Sequence, residues 1–125
     1  MNILIIILSS LNLTFLWIHE LDACHKGEWR MFGFLRKFKE NTQYQIFLLA
    51  HIPLFIFTIY YLWTVFNFNN FPLWIIWNVL MIIHLIIHIL AKKWKSNVFK
   101  SSFSFMLIYG IGISAFINLL LFRYY

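Results

Sequence analysis

Residues 71–91 read FPLWIIWNVLMIIHLIIHILA, an apolar run without a single Asp, Glu, Lys or Arg. A helix that crosses a bilayer needs about 20 mostly apolar residues at roughly 1.5 Å rise each, and this stretch meets that length. Three further segments do the same: about 2–22, 44–63 and 103–122. The whole chain agrees with them. Of its 125 residues 62% are hydrophobic and 11% charged, and its mean hydropathy is +0.79. A water-soluble domain this small has too large a surface-to-volume ratio to hide that much apolar surface. The sequence therefore predicts an all-α, integral membrane four-helix bundle, one transmembrane domain over 1–125.

The connections set its orientation. All Lys and Arg but Arg123 lie in two of them: Lys26, Arg30, Arg36, Lys37 and Lys39 after the first span, and Lys92, Lys93, Lys95 and Lys100 after the third. By the positive-inside rule the loops 26–42 and 92–100 are cytoplasmic and both termini lie outside. The formal charge of +6 then reflects topology and attraction to anionic lipid headgroups, and nucleic-acid binding is excluded for want of a soluble domain to carry it. The Asn-rich link 66–72 reads as a turn between antiparallel helices. Tyr60, Tyr61, Trp63, Trp74, Tyr124 and Tyr125 are expected in an outer aromatic belt, and Trp29 and Trp94 in an inner one. Between 28 and 40, Met31, Phe32, Phe34, Leu35 and Phe38 share one broad helical arc with Arg30, Arg36 and Lys37 opposite, an amphipathic piece lying on the cytoplasmic surface. Leu21-Asp-Ala-Cys24 has the look of a lipoprotein cleavage box. No Lys or Arg precedes the apolar run, however, and His19, Glu20 and Asp22 crowd the box, so the first segment is expected to remain as a span. The lone Cys24 has no internal disulfide partner.

The ionisable residues gather at one level. The stretch WIHELDACHKGEW, 17–29, holds every acidic residue but Glu40. Measured along the helices, His19 lies roughly 10 Å above Lys26 and Asp22 about 6 Å above it. His51 is about 10 Å into the second span, and His84 and His88 are about 12 Å and 6 Å from Lys92. Three helices thus deliver ionisable groups to the cytoplasmic half of the bundle. His84 and His88 are i and i+4 on one face, a spacing that lets two imidazoles hold one metal. His19 and Asp22, at i and i+3, also share a face, whereas Glu20 points elsewhere. Pro53 leaves a distorted turn with an open backbone acceptor beside His51. Ser104 and Tyr109 on the fourth span are expected to reach the same layer as supporting residues.

Ionisable groups inside a bilayer pair, coordinate an ion or line water. A metal site of His51, His84 and His88, completed by His19 or Asp22, suits zinc or iron. A hydrogen-bonded network that ties helices together is the closest rival. A b-type haem between facing histidines, or a proton or ion pathway, ranks below both. His19-Glu20 invites the zinc-protease pattern H-E-x-x-H, but position 23 is Ala and the match fails. His25, at the water interface, reads as solvated. Gly110, Gly112 and Ser114 form a small-residue patch that packs helices within the chain or between two copies in a homo-oligomer.

The motifs HELDA (19–23), EWR (28–30), HIPLF (51–55) and the H-x-x-x-H of 84–88 occur in that order. In them the chain resembles an uncharacterised family of short bacterial integral membrane proteins defined by a domain of unknown function. The resemblance covers nearly the whole chain. It implies four spans in the bacterial cytoplasmic membrane and singles out His19, Glu20, Asp22, Glu28, Trp29, Arg30, His51, His84 and His88, but brings no reaction. Glu28, Trp29 and Arg30 would sit at the mouth of the polar layer, where a Glu28–Arg30 ion pair could fold the surface segment over it or the pair could meet a lipid headgroup. A weaker likeness is to membrane proteins with an H-x-x-E-E motif, with Asp22 at the first acid and Ala23 in place of the second.

If a metal is held there with an open position, it lowers the pKa of bound water. Asp22 or Glu20 would then serve as general base towards a lipid ester or amide. The constellation is similar to that of intramembrane zinc hydrolases such as alkaline ceramidases, with only H-x-x-x-H shared. Iron in the same ligands would suit lipid or quinone oxidation, although the multi-histidine clusters of membrane desaturases are absent. The opposing class is a non-catalytic membrane protein, a transport, proton-conducting or assembly subunit, with a structural polar layer.

Overall fold

A computed structural model describes residues 2–124. Among them are four α-helices: α1 (Asn2–Lys26), α2 (Glu40–Asn67), α3 (Phe71–Ala91) and α4 (Ser102–Leu120). All four are long and apolar enough to cross a membrane. The helices start and stop where local chemistry says they should. Gly27, at φ 75°, ends α1 in the left-handed region, its N–H donating to the carbonyls of Ala23 (3.0 Å) and Cys24 (3.4 Å). The Asn70 side chain accepts from Leu73 N–H at 3.0 Å to open α3, with Pro72 in its first turn. Ser101 opens α4 the same way, accepting from Ser104 N–H at 3.1 Å.

One face of α1 carries the bundle. Ile5, Ser9, Asn12, Leu16, His19 and Ala23 recur at alternating steps of four and three and are all buried. Polar members of that stripe find partners on every other helix. Asn12 donates to Ile111 O (2.7 Å) and Ser114 Oγ (3.0 Å) on α4 and accepts from Trp77 Nε1 (3.1 Å) on α3. Ser9 accepts from Tyr61 Oη (3.3 Å) on α2 and from Asn118 Nδ2 (3.2 Å) on α4. A second contact of the same Asn118 amide reaches Asn78 Oδ1 at 3.2 Å.

α4 packs closely on α1 and α3, and glycine makes this possible. A Cβ on Gly112 would stand 2.2 Å from Leu85 Cδ2, and one on Gly110 2.8 Å from the Phe15 ring. The small-residue patch is thus used inside the chain. By contrast α2 meets α1 and α3 sparsely, and a cavity opens beside it.

Two expectations about the fold differ from the structure. Tyr61 and Trp74 are core residues rather than belt residues, both fully buried, with Tyr61 stacked on Trp77 at a centroid distance of 4.7 Å. Tyr60, Trp63 and Trp94 are exposed, as a belt requires. Tyr125 and the side chain of Tyr124 lie outside the described residues. The segment after α1 is not a surface helix but two 3₁₀ turns, Glu28–Met31 and Gly33–Leu35, joined by an extended Phe32. Trp29 and Leu35 turn inward instead, Trp29 lying 4.9 Å from Tyr44 and 5.9 Å from Phe47 by ring centroids. Burying these side chains stabilises more than an exposed amphipathic arc would, so the chain folds back over the end of the bundle.

Gly112→Ala should destabilise the bundle by about 1–3 kcal/mol, because the clashing Leu85 atoms include its Cβ and cannot all swing away. A thermal melt in detergent measures this, and adding Leu85→Ala should restore part of the loss.

Candidate metal centre

His19 from α1 and His84 and His88 from α3 each offer one ring nitrogen, and these three nitrogens all lie within 4.8 Å of one another. The rings contact pairwise, at centroid distances of 5.1 Å (His19–His84), 4.9 Å (His19–His88) and 4.5 Å (His84–His88). Helical spacing explains the α3 pair, and the buried stripe of α1 brings His19 to it. Phe99, from the connection before α4, closes the site against His19 and His88 at 5.1 Å each.

The nitrogens suit a cation. His84 Nε2 and His88 Nε2 are 3.1 Å apart, so at most one proton fits between two neutral imidazoles. Two nitrogens bound tetrahedrally to one zinc stand about 3.3 Å apart, given Zn–N bonds of about 2.0–2.1 Å. Replacing the proton by a metal ion therefore needs almost no movement of this pair, while the third nitrogen, from His19, lies within 4.8 Å of both. His19 Nδ1 is also buried without a hydrogen-bond partner among the described residues, a costly state that coordination or a bound water would relieve; His84 Nδ1 is buried in the same way, and a bound water would satisfy it.

A second pair faces the first. His51 Nδ1 lies 2.6 Å from Phe47 O, and its Nε2 lies 2.9 Å from Glu20 Oε2. A carbonyl only accepts, so Nδ1 carries a proton, and the Glu20 contact holds one more. The pair is thus His51⁺ with a carboxylate or neutral His51 with a carboxylic acid, and its net charge is zero either way. Glu20, Glu28, His51, His84 and His88 all line one cavity of about 450 Å³ between α2 and α3, and the rest of its wall is apolar. Burial, and then the charge of Glu20, push the Glu28 carboxyl up to about 8; His51 opposes this only in part.

The remaining residues singled out by the sequence have other partners. Asp22 accepts from Ser104 Oγ at 2.5 Å and ties α1 to α4. His51 pairs with Glu20 and is not among the three clustered histidines. Tyr109 does not join the layer: it is exposed, and its hydroxyl accepts from Lys92 Nζ at 2.9 Å. Arg30 pairs with Glu40, its Nε donating to Oε1 at 2.9 Å, so the expected Glu28–Arg30 pair gives way to one that pins the 3₁₀ segment to α2. Trp29 is buried beneath that segment. Sequence reasoning missed Phe99 and the Phe47 carbonyl. The second was legible, since Phe47 stands four residues before His51.

Fold and site together define an all-α bundle of four helices of membrane-spanning length, with a three-histidine cluster able to coordinate a metal ion. A family model matches residues 5–125, and the chain belongs to that family, a family of unknown function (DUF6713). Comparison with curated proteins and with solved structures gives no match.

Folded, Glu28 keeps its proton up to about 8, whereas a free glutamate loses it near 4.5. Between those values the folded state alone holds the proton, so this group's contribution to stability falls as pH rises through the window and is constant below it. The thermal midpoint in detergent should accordingly drop between pH 7 and pH 8, above the range in which histidines of the unfolded chain take up protons, and Glu28→Gln should flatten that slope.

Proposed function

We propose that the chain is an integral membrane metalloprotein of the bacterial cytoplasmic membrane, in which His19, His84 and His88 hold zinc or iron and the adjoining cavity presents a lipid ester or amide for hydrolysis. The observation that carries this reading is the convergence of three histidine nitrogens, two of them from residues, His84 and His88, that line a cavity shared with Glu20, Glu28 and His51. Three protein ligands with a fourth position free is the pattern of catalytic rather than structural zinc. The basic connections support a cytoplasmic placement of loops 26–42 and 92–100, with both termini outside and anionic headgroups beside the site.

A bound metal would supply Lewis acidity and a water of lowered pKa. The chain's own residues do the rest. Glu20 is the general base, because it lines the cavity and His51 holds its carboxylate in place. Asp22, the other candidate from the sequence, is engaged by Ser104 and is absent from the cavity wall, so its role is to fix α1 against α4. Glu28, on the wall of the same cavity, is placed to donate a proton to a leaving group. Iron in the same ligands would direct the site to oxidation instead.

A second reading makes the layer a structural or proton-conducting network in a non-catalytic membrane protein. One observation favours it: His51 uses both ring nitrogens, and His84 and His88 face each other at hydrogen-bonding distance, with no metal required.

Metal analysis and a visible spectrum of detergent-purified protein decide between them. Near one zinc or iron per chain is expected, lost in His84→Ala/His88→Ala. Glu20→Gln should keep the metal and abolish hydrolysis of lipid esters or amides. A wild-type protein that stays metal-free after reconstitution would overturn the metal centre, and a Soret band would replace it with haem.

A further inference from the structure

The cavity has a shape as well as a chemistry. Ile46, Phe47, Ala50 and Leu54 of α2 line it at helical spacing, with only the Glu20-paired His51 polar among them, giving a largely apolar stripe about 12 Å long that runs parallel to the helix axes. Ala50 and Ile87, on opposite walls, are both exposed, which places the cavity's opening sideways between α2 and α3. At its far end Glu28 and His88 also line a second cavity of about 270 Å³, which reaches the 3₁₀ segment at Gly33 and Trp94 in the following connection. An apolar slot, a polar waist and a smaller chamber beside the interface succeed one another.

From this juxtaposition we propose that the cavity takes the acyl chain of a membrane lipid from the side, laid along the Ile46–Leu54 stripe with its carbonyl end at the level of Glu28 and His88. A peptide would bring backbone N–H and C=O groups that the apolar stripe cannot satisfy. A phosphate in the waist would need a cation, but Arg30 is held by Glu40, and Lys92 by Tyr109. The Glu20–His51 pair has no net charge, and an uncharged acyl carbonyl matches it. A headgroup would remain in the smaller chamber beside Trp94, an aromatic side chain suited to that depth. The inference rests on the membrane placement and hydrolase reading above, and deepens them by naming the part of the substrate that the fold recognises.

The test is photolabelling in phosphatidylcholine liposomes doped with a phosphatidylcholine whose sn-2 acyl chain carries a mid-chain diazirine, the adducts being mapped by peptide mass spectrometry. Adducts should concentrate on 46–54 and around Ile87. Filling the slot by Ala50→Trp, or from the other wall by Ile87→Trp, should remove them, while Leu49→Trp, exposed and outside the cavity wall, should leave them in place. Adducts spread equally over exposed α4 positions such as Ile113 and Phe116, or unchanged in both filled variants, would overturn the proposal. Zinc and iron content measured on the same samples separates the two readings. Focused labelling of protein that holds neither metal after reconstitution upholds the acyl slot and refutes the metal centre, whereas bound metal without focused labelling refutes the slot alone.

Discussion

The structure depends on one constraint: polar side chains inside an apolar bundle must be satisfied by other helices. α1 meets this for the whole molecule. Along it, Ser9, Asn12, Trp17, Glu20 and Asp22 each hydrogen-bond to a different helix from their own, and His19 packs on the α3 histidines. In lipid no hydrophobic drive holds helices together, so such links and close packing must do so. The buried stripe of α1 is therefore half polar, unlike the all-apolar stripe expected of a helix that packs in water.

The same geometry explains why the chemistry sits at 19–22. Successive residues on a helix turn by about 100°, so His19, Glu20 and Asp22 leave α1 in three directions within a single turn. His19 meets α3, Glu20 meets α2 and Asp22 meets α4. One turn thus registers three helices at one level. A two-residue shift of α1 would break all three contacts together, which makes this turn the pin of the bundle as well as the origin of its candidate site.

The fold class was legible in the sequence because four long apolar runs leave few alternatives, and so was the level at which the histidines meet, since rise per residue is a fixed length. Direction around the helix was not. Spacing put His19 and Asp22 on one face, yet two helices flank that face and each took one residue. It grouped His51 with His84 and His88 by depth, and the structure gives His51 to Glu20 because α2 stands across the cavity from α3. Asn12, Asn78 and Asn118 stand within the apolar runs as uncharged polar residues, which carry no titratable signal, although they form the second polar level. Tyr61 and Trp74 show the limit of belt reasoning: an aromatic near a helix end serves the core when an inward face lacks volume.

The cavity follows from the two ways in which α1 binds its neighbours. α4 is drawn in by glycine, which removes the side chain that would keep backbones apart, and nothing is left between α4 and its partners. α2 is instead held by point contacts, Tyr61 to Ser9, Trp17 to Thr58 and His51 to Glu20, each worth about 0.6 kcal/mol in a membrane protein. Contacts of that kind act through long side chains and hold helices at a distance. On its α3 side α2 offers Ala50 where a larger residue would close the gap, and the 3₁₀ segment, pinned by Arg30 to Glu40, roofs one end. The space beside the histidines is thus the direct consequence of hydrogen-bonded rather than close-packed attachment. A bundle closed on all sides by glycine would be tighter and would leave no space beside His84 and His88.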